Sequence, residues 1–255
     1  LKAKIGGNFV SNRDVWSVFP DAELVLRIWG DGIQIFGGAT GDLRKNTYRS
    51  IAEYNPFIEI RESKLKNTRY LNYFGGVKGN LGWLEYSGQV NYGDARDLAL
   101  FANLADSLAA PTRFGVRYDT VQIFNIQGTV KFSPIKNLTI SGTLSQSLFE
   151  LENEAAAWGL PGLEGNFTGT YSLLEGKATV KAECYIADRI RYIGDGGEAA
   201  KDNALFDLSL GGTYHFSKNA GVFLDINNLA NNKRQRWHNY PIYGTNIMLG
   251  VQAKF

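Results

Sequence analysis

One cysteine, Cys184, is the only thiol in 255 residues, so no intrachain disulfide and no cysteine-rich zinc site can be built from this chain. It is expected to pack as a small hydrophobe. The two histidines, His215 and His238, are well separated, whereas metal and acid–base chemistry draws on clusters, so no metal ligands and no cofactor are expected. No Ser/His/Asp spacing or pair of catalytic carboxylates is present, no catalytic residue is assigned, and an enzyme is not expected. Gly37-Gly38-Ala39-Thr40-Gly41 follows a strand pattern but no helix pattern succeeds it, which argues against a phosphate loop. A formal net charge of +2 with no dense Lys/Arg run argues against a nucleic-acid partner.

Long apolar runs are missing too. Nothing approaches the roughly 18 consecutive apolar residues of a membrane helix, and the mean hydropathy is -0.22. This excludes helical spans alone, because the strands of a membrane barrel show lipid only every second residue. Prolines number six, against 29 glycines and an aromatic fraction of 13%, a balance that suits pleated strands and tight turns.

The strongest pattern is period two. Ile247, Leu249, Val251, Ala253 and Phe255 alternate with Asn246, Met248, Gly250, Gln252 and Lys254. Phe124 to Phe132, Leu138 to Leu144, Val180 to Ile186 and Phe206 to Phe216 repeat the scheme with Ser, Thr, Asn and charged residues on the other face. Weaker versions bring the expected count to about twelve strands, residues 69–78 being the poorest. Connections near residues 30–32, 79–82, 133–137, 175–177 and 217–220 are short, and those over 11–21, 40–68, 94–113, 150–164, 193–204 and 229–244 are long. Short turns at one end and long loops at the other describe an all-β fold, an antiparallel up-and-down transmembrane β-barrel, whole or part of a larger one.

Alternation also suits a soluble sandwich with an apolar core. A ring of about twelve strands, however, is too wide for side chains to fill, since about eight is the size that packs its own interior. The apolar face is then outward. Trp29, Trp83, Phe132, Phe216 and Phe255 lie near the short-turn ends, as an interfacial girdle would. The segment Leu1 to Gly7 has no signal-peptide pattern and reads as mid-strand, so residues 1–255 are expected to be one barrel unit, the C-terminal portion of a longer chain.

Gly221-Val222-Phe223-Leu224-Asp225-Ile226-Asn227-Asn228-Leu229, then Arg236-Trp237-His238-Asn239-Tyr240-Pro241-Ile242-Tyr243-Gly244 and the strand ending in Phe255, resemble the end of a TonB-dependent receptor barrel. In that family the penultimate strand ends in an Asn-Leu corner and the last strand ends in Phe. The resemblance implies a membrane-assembly signal in Ile247, Leu249, Val251 and Phe255, read by the barrel-assembly machinery. It implies outer-membrane lipid and lipopolysaccharide as surroundings, and TonB or other outer-membrane proteins as partners. Phe19 to Asp42 and Tyr48 to Phe57 resemble receptor-like barrels less specifically. A plug domain and a TonB-box-like segment are not among these residues. The family barrel has about 22 strands, so this chain would be roughly its C-terminal half or a shortened relative.

Two residue sets are candidates for function. Lys131, Lys181, Glu183, Asp207 and Asp225 fall on the polar face, where charges either select solutes or pair with one another to stabilise the wall. Arg234, Arg236, Trp237, Tyr240 and Tyr243 in the last long loop either form an external contact or pack on neighbouring loops. The expected role is nutrient or solute transport across the cell outer membrane. The alternative is a scaffolding barrel subunit of an outer-membrane complex.

Overall fold

A computed structural model describes residues 1–12, 15–59, 64–104 and 113–253. Nine strands follow in order: β1 (Lys2–Asn12), β2 (Val15–Trp29), β3 (Ile33–Arg44), β4 (Thr68–Asn80), β5 (Leu84–Asn103), β6 (Phe114–Ile135), β7 (Leu138–Leu151), β8 (Leu163–Leu173) and β9 (Ala178–Ala187). A small hairpin, β10 (Arg191–Ile193) and β11 (Ala199–Lys201), precedes β12 (Leu205–His215) and β13 (Ala220–Asn227). A second, β14 (Gln235–Trp237) and β15 (Tyr240–Pro241), precedes β16 (Asn246–Ala253). One helix, α1 (Tyr48–Tyr54), lies between β3 and β4, started by a Thr47–Ser50 capping box.

Leaving the two small hairpins aside, each strand pairs antiparallel with the next, giving one twelve-stranded up-and-down sheet, as the periodicity predicts. The sheet is open among the described residues: β1 pairs with β2 alone and β16 with β13 alone.

Two corrections concern the long loops. Residues 11–21 were expected to be a loop, yet β1 and β2 stay in register up to Asn12 opposite Val15. Residues 94–113 were also expected to be a loop, yet β5 runs to Asn103 and β6 starts at Phe114. β5 and β6 are 20 and 22 residues long, against about ten for a membrane crossing. Beyond a bulge between Ala95 and Leu98 this hairpin continues past the alternating pattern. The run Leu98-Ala99-Leu100-Phe101-Ala102 does not alternate because both of its faces are covered.

Below that level the two faces differ sharply. Leu24, Leu26, Ile28, Ile35, Ile126, Leu144, Leu148, Leu210 and Leu224 stand exposed on one face. The other carries Gln34, Lys78, Ser87, Thr129, Lys131, Ser141, Thr143, Asn166 and Thr168, which line a concave groove of about 610 Å³. The polar side is therefore the inside of the curve. Leaving this many large apolar side chains in water would cost on the order of 10–20 kcal/mol, as much as the whole net stability of a domain. Cys184 takes its place on the outer face, its strand neighbours there being Ala182 and Ile186, and it is partly covered. Trp29, Trp83 and Phe216 are exposed at the short-turn end, where the Trp83 ring meets Phe132 edge to face at 5.7 Å. Phe255 lies outside the described residues.

On the concave side, β3 and β4 are brought close by glycine. Phe36 faces Gly76 and Gly38 faces Phe74 across the ladder, so each ring covers the opposite glycine. A Cβ on Gly76 would sit 2.1 Å from the Gly88 carbonyl oxygen, and one on Gly38 equally close to that of Ala22. Both contacts are with backbone, which cannot swing away. We expect Gly76→Ala to lower the stability of the detergent-folded protein by about 1–3 kcal/mol. Gly169→Ala, where the added Cβ meets open space, should stay within about 0.5 kcal/mol. Urea unfolding followed by tryptophan fluorescence measures both.

Candidate functional site in the loop-capped lumen

The polar wall is a cross-strand ladder of short amides and hydroxyls. Asn91 Nδ2 donates to Asn125 Oδ1 at 3.1 Å, and Asn125 Nδ2 donates to Ser145 Oγ at 2.7 Å and Ser147 Oγ at 2.9 Å. Four of the five charges predicted for this face pair locally. Lys131 meets Glu85 at 3.4 Å, Lys181 meets Glu183 at 2.7 Å, and Asp207 pairs with Arg234. Asp225 lies beside Gly211 and opposite Met248 in the ladder. These are two-residue pairs spread over several strands.

Above the wall, the long connections fold back into a packed lid. The extended β5–β6 hairpin is its centre. On one face Leu98, Leu100 and Ala102 join Val121, Ala156 and Trp158. On the other, Phe101 and Phe114 join Ile51 and Trp237. Trp237 meets Phe101, Phe114 and Tyr54 edge to face at centroid distances of 5.4 to 5.8 Å.

Of the two courses open to the last-loop residues, external contact or packing on neighbouring loops, four of the five take the second and are used inside the lid. Trp237 is 6% exposed. Arg234 pairs with Asp207 and donates to the Phe206 carbonyl at 2.6 Å. Arg236 lies over the Tyr54 and Trp237 rings and donates to the Gly159 carbonyl at 3.0 Å and the Tyr54 hydroxyl at 2.9 Å. Tyr240 stacks on Phe57 at 3.4 Å. Tyr243 alone of the five projects freely, 91% exposed. The reason is chemical: large apolar rings gain more by covering one another than by facing water.

Buried polar side chains pin the lid in place. Asn228, 3% exposed and at φ 51°, donates to the carbonyls of Asn232 and Tyr243 and accepts from the Asn232 N–H, so the Asn-Leu corner organises the whole last loop. Asn103 makes a two-way bond with the Ile193 backbone at 2.7 and 2.8 Å, docking the β10–β11 hairpin. His238 stacks on Tyr192 at 3.6 Å and contacts Asp202 at 3.0 Å, joining the last loop to the same hairpin.

Asp119, near the loop end of β6, holds the segment after β7. Its carboxylate accepts from the backbone N–H groups of Glu154, Asn153 and Thr120 at 2.8, 3.0 and 2.9 Å, and from the Asn153 side chain at 2.8 Å. Glu154 in turn accepts from Trp158 Nε1 at 2.7 Å and pairs with Arg117 at 3.2 Å. Burial alone would raise the Asp119 carboxyl, but the donors outweigh it and hold the group below the usual carboxylate value.

Between lid and wall is a cavity of about 350 Å³, lined among others by Arg44, Tyr54, Tyr70, Phe101, Phe149 and Glu164. Flat rings, one cation and one carboxylate converge there, the mixture that orients a small polar-aromatic solute. None of the six stands out as a site residue in the sequence alone. Tyr48, Ile51 and Tyr54 do recur every third residue, a helical spacing that was available. Among the described residues no group of three or more His, Cys, Asp or Glu side chains could hold a metal ion.

Solved structures with this architecture form a consistent group. The pyoverdine outer-membrane receptor FpvA of Pseudomonas aeruginosa superposes with a TM-score of 0.70 at 12% identity, over 99% of this chain and 39% of that one. The ferric-catecholate import receptor Fiu of E. coli K12 gives 0.69 at 12% identity, over 94% and 35%. The copper transporter OprC gives 0.67 at 16% identity, over 94% and 40%. The fold is that of a TonB-dependent receptor barrel. This chain spans well under half the length of those receptors. No protein-family model and no curated protein matches it by sequence.

Asp119→Ala would leave the N–H donors of Asn153 and Glu154 without their acceptor, at a local cost of about 2–3 kcal/mol. Hydrogen exchange at Asn153, Glu154 and Trp158 should accelerate accordingly, while β7 and β8 keep their protection. Since the folded carboxyl value lies below the unfolded one of about 3.9, the stabilisation is complete above that value and lost as pH falls through the folded value. Protection factors of the segment should therefore be flat from about pH 7 to pH 5 and drop only in stronger acid.

Proposed function

We propose that the chain forms a wall and loop lid of an outer-membrane transport receptor of the TonB-dependent type, in which the lid cavity recognises a solute on its way to the lumen. The observation that carries this is the inverted polarity of the sheet. Large aliphatic side chains lie bare on the convex face, while hydrogen-bonded amides, hydroxyls and ion pairs line the concave one. Lipid satisfies the first surface and water or solute the second. The outer-membrane setting and receptor role follow the shared fold with FpvA, Fiu and OprC. The short-turn end faces the periplasm in this reading, and the lid faces outward. Ile247, Leu249 and Val251, all exposed on the outer face of β16, with Phe255 beyond them, would serve as the signal for barrel assembly. Further strands would cover the free edges of β1 and β16, because hydrocarbon offers an unpaired backbone group no partner. The lumen pairs, Lys131 with Glu85 and Lys181 with Glu183, would set the charge pattern met by a permeating solute. A scaffolding role is less well supported, because the last loop spends its aromatic and arginine side chains on the lid.

The membrane assignment can be read residue by residue. In a Cys184→Ser background reconstituted into liposomes, Thr143→Cys on the concave face should react with a water-soluble maleimide. Leu144→Cys and Ile126→Cys on the convex face should not. Equal labelling of all three would rule the reading out. For the receptor role, Tyr54→Ala should reduce cellular uptake of the recognised solute, whereas a barrel silent to every solute tested would favour a scaffold.

A further inference from the structure

The lid cavity of about 350 Å³ holds two opposite charges that do not meet. Arg44, at the loop end of β3, stands opposite Thr68 in the ladder, and Glu164, at the loop end of β8, stands opposite Ser145. Four strands lie between them, and continuous pairing keeps those strands from closing up. Among the described residues neither side chain has an ion-pair partner, so the two are beyond ion-pair distance of each other. Each is oriented instead by a neutral phenol. The Arg44 guanidinium lies beside the Tyr70 hydroxyl, and Glu164 accepts from the Tyr185 hydroxyl at 2.9 Å.

Other charges around the lid do find partners, as Arg117 does in Glu154, Arg113 in Glu59 and Lys66 in Asp97. Neutral polar groups of the cavity are engaged within the chain as well. Asn46 Nδ2 donates to Thr68 Oγ1 at 3.0 Å, Thr68 Oγ1 donates to the Asp97 carbonyl at 2.8 Å, and the Tyr54 hydroxyl accepts from Arg236 at 2.9 Å. What the cavity offers a solute is therefore one guanidinium, one carboxylate and flat apolar surface. The rings come from both sides: Tyr54 and Phe101, stacked at 4.8 Å, belong to the lid, and Tyr70 and Phe149 to the wall.

We infer that this cavity selects a small zwitterion with a flat apolar body between its charges, the carboxylate on Arg44 and the ammonium on Glu164. The inference rests on the proposed role of the cavity in solute recognition and gives that solute its chemical class. A solute that fills the cavity displaces water from both charged side chains, and a charge left dry without a partner is costly. A simple anion satisfies Arg44 and strands Glu164. A simple cation does the reverse. Guanidinium takes a carboxylate in two parallel hydrogen bonds, which fixes the direction in which the solute lies, and the rings hold its body by stacking. The volume is at the lower end of the roughly 300–1,000 Å³ of small-molecule pockets, which limits the body to one or two rings.

The test uses the intact protein in detergent with 4-(aminomethyl)benzoate as probe, a flat ring carrying an ammonium at one end and a carboxylate at the other. Titration followed by ligand-observed NMR should give a dissociation constant of about 1 mM or tighter. The singly charged 4-methylbenzoate and 4-methylbenzylamine should bind about tenfold or more weakly. Arg44→Gln should weaken the zwitterion by about tenfold without weakening the amine, and Glu164→Gln should do so without weakening 4-methylbenzoate. Arg49→Gln, which alters an exposed cation of α1 paired with Glu53, should change nothing. The inference is overturned if the three probes bind alike, if the zwitterion does not bind, or if both charge variants bind it like the wild type. The comparison of probes needs no variant, so it decides even where a substitution prevents folding, and unchanged heat-modifiable migration on gels identifies the variants that fold. Tyr54→Ala in the uptake assay distinguishes the two failures: reduced uptake with no dependence on Arg44 or Glu164 removes the zwitterion class alone, and unchanged uptake removes the cavity reading with it.

Discussion

A backbone amide inside hydrocarbon has no water to turn to, so a chain that crosses a bilayer in strands must satisfy every N–H and C=O from neighbouring strands. That constraint explains the connectivity of this molecule. Twelve strands pair in sequence order, antiparallel throughout, with register kept over eight or more residues in nearly every pair. Continuous pairing fixes which side chains share a face, because a slip of one residue would turn every apolar side chain inward. The bare aliphatic surface and the amide ladder around Asn91 and Asn125 are two consequences of the same register.

The lid obeys a different rule. Above the alternating region both faces of the β5–β6 hairpin are covered, so the governing force is ordinary aqueous burial of apolar area. Ile51 from α1, Trp158 from the segment after β7 and Trp237 from the last loop reach this hairpin from far apart in the chain. Buried polar side chains fix how they arrive: Asp119, Asn103 and Asn228 each hold backbone groups of a different connection. A carboxylate that accepts several N–H groups, or an amide that accepts and donates at once, specifies one geometry, whereas apolar contact alone tolerates several. The cavity lined by Tyr54, Tyr70 and Glu164 is shaped by where these anchors stop the lid.

The two regimes meet at the rim, and the unusual features gather there. β5 carries its bulge and the positive-φ residue Asp97 at this height. β7 parts from β8, and the cations Arg189, Arg191 and Lys201 cluster beside the gap. A strand leaving an apolar environment for a polar one has to change its pattern within a few residues, and bulges and unpaired edges are the usual means.

The amino-acid sequence by itself determined the strand count, the short turns and the direction of the polar face. Period-two alternation is a local property, and one run such as Leu138 to Leu144 is enough to read it. The resemblance at Asn228-Leu229 was legible as well, and its physical basis is a buried asparagine at positive φ that ties up its own loop. The fate of the loops was decided by tertiary structure alone. Leu98 to Ala102 does not alternate, so whether it is loop or strand depends on partners on both sides that come from other connections. Trp237 and Arg236 have the composition of a binding surface, and only the arrival of Tyr54, Phe101 and Gly159 makes them a core. Burial by remote segments leaves no periodic signal, because the residues that meet are separated by tens to nearly two hundred positions, as Arg236 and Tyr54 are by 182.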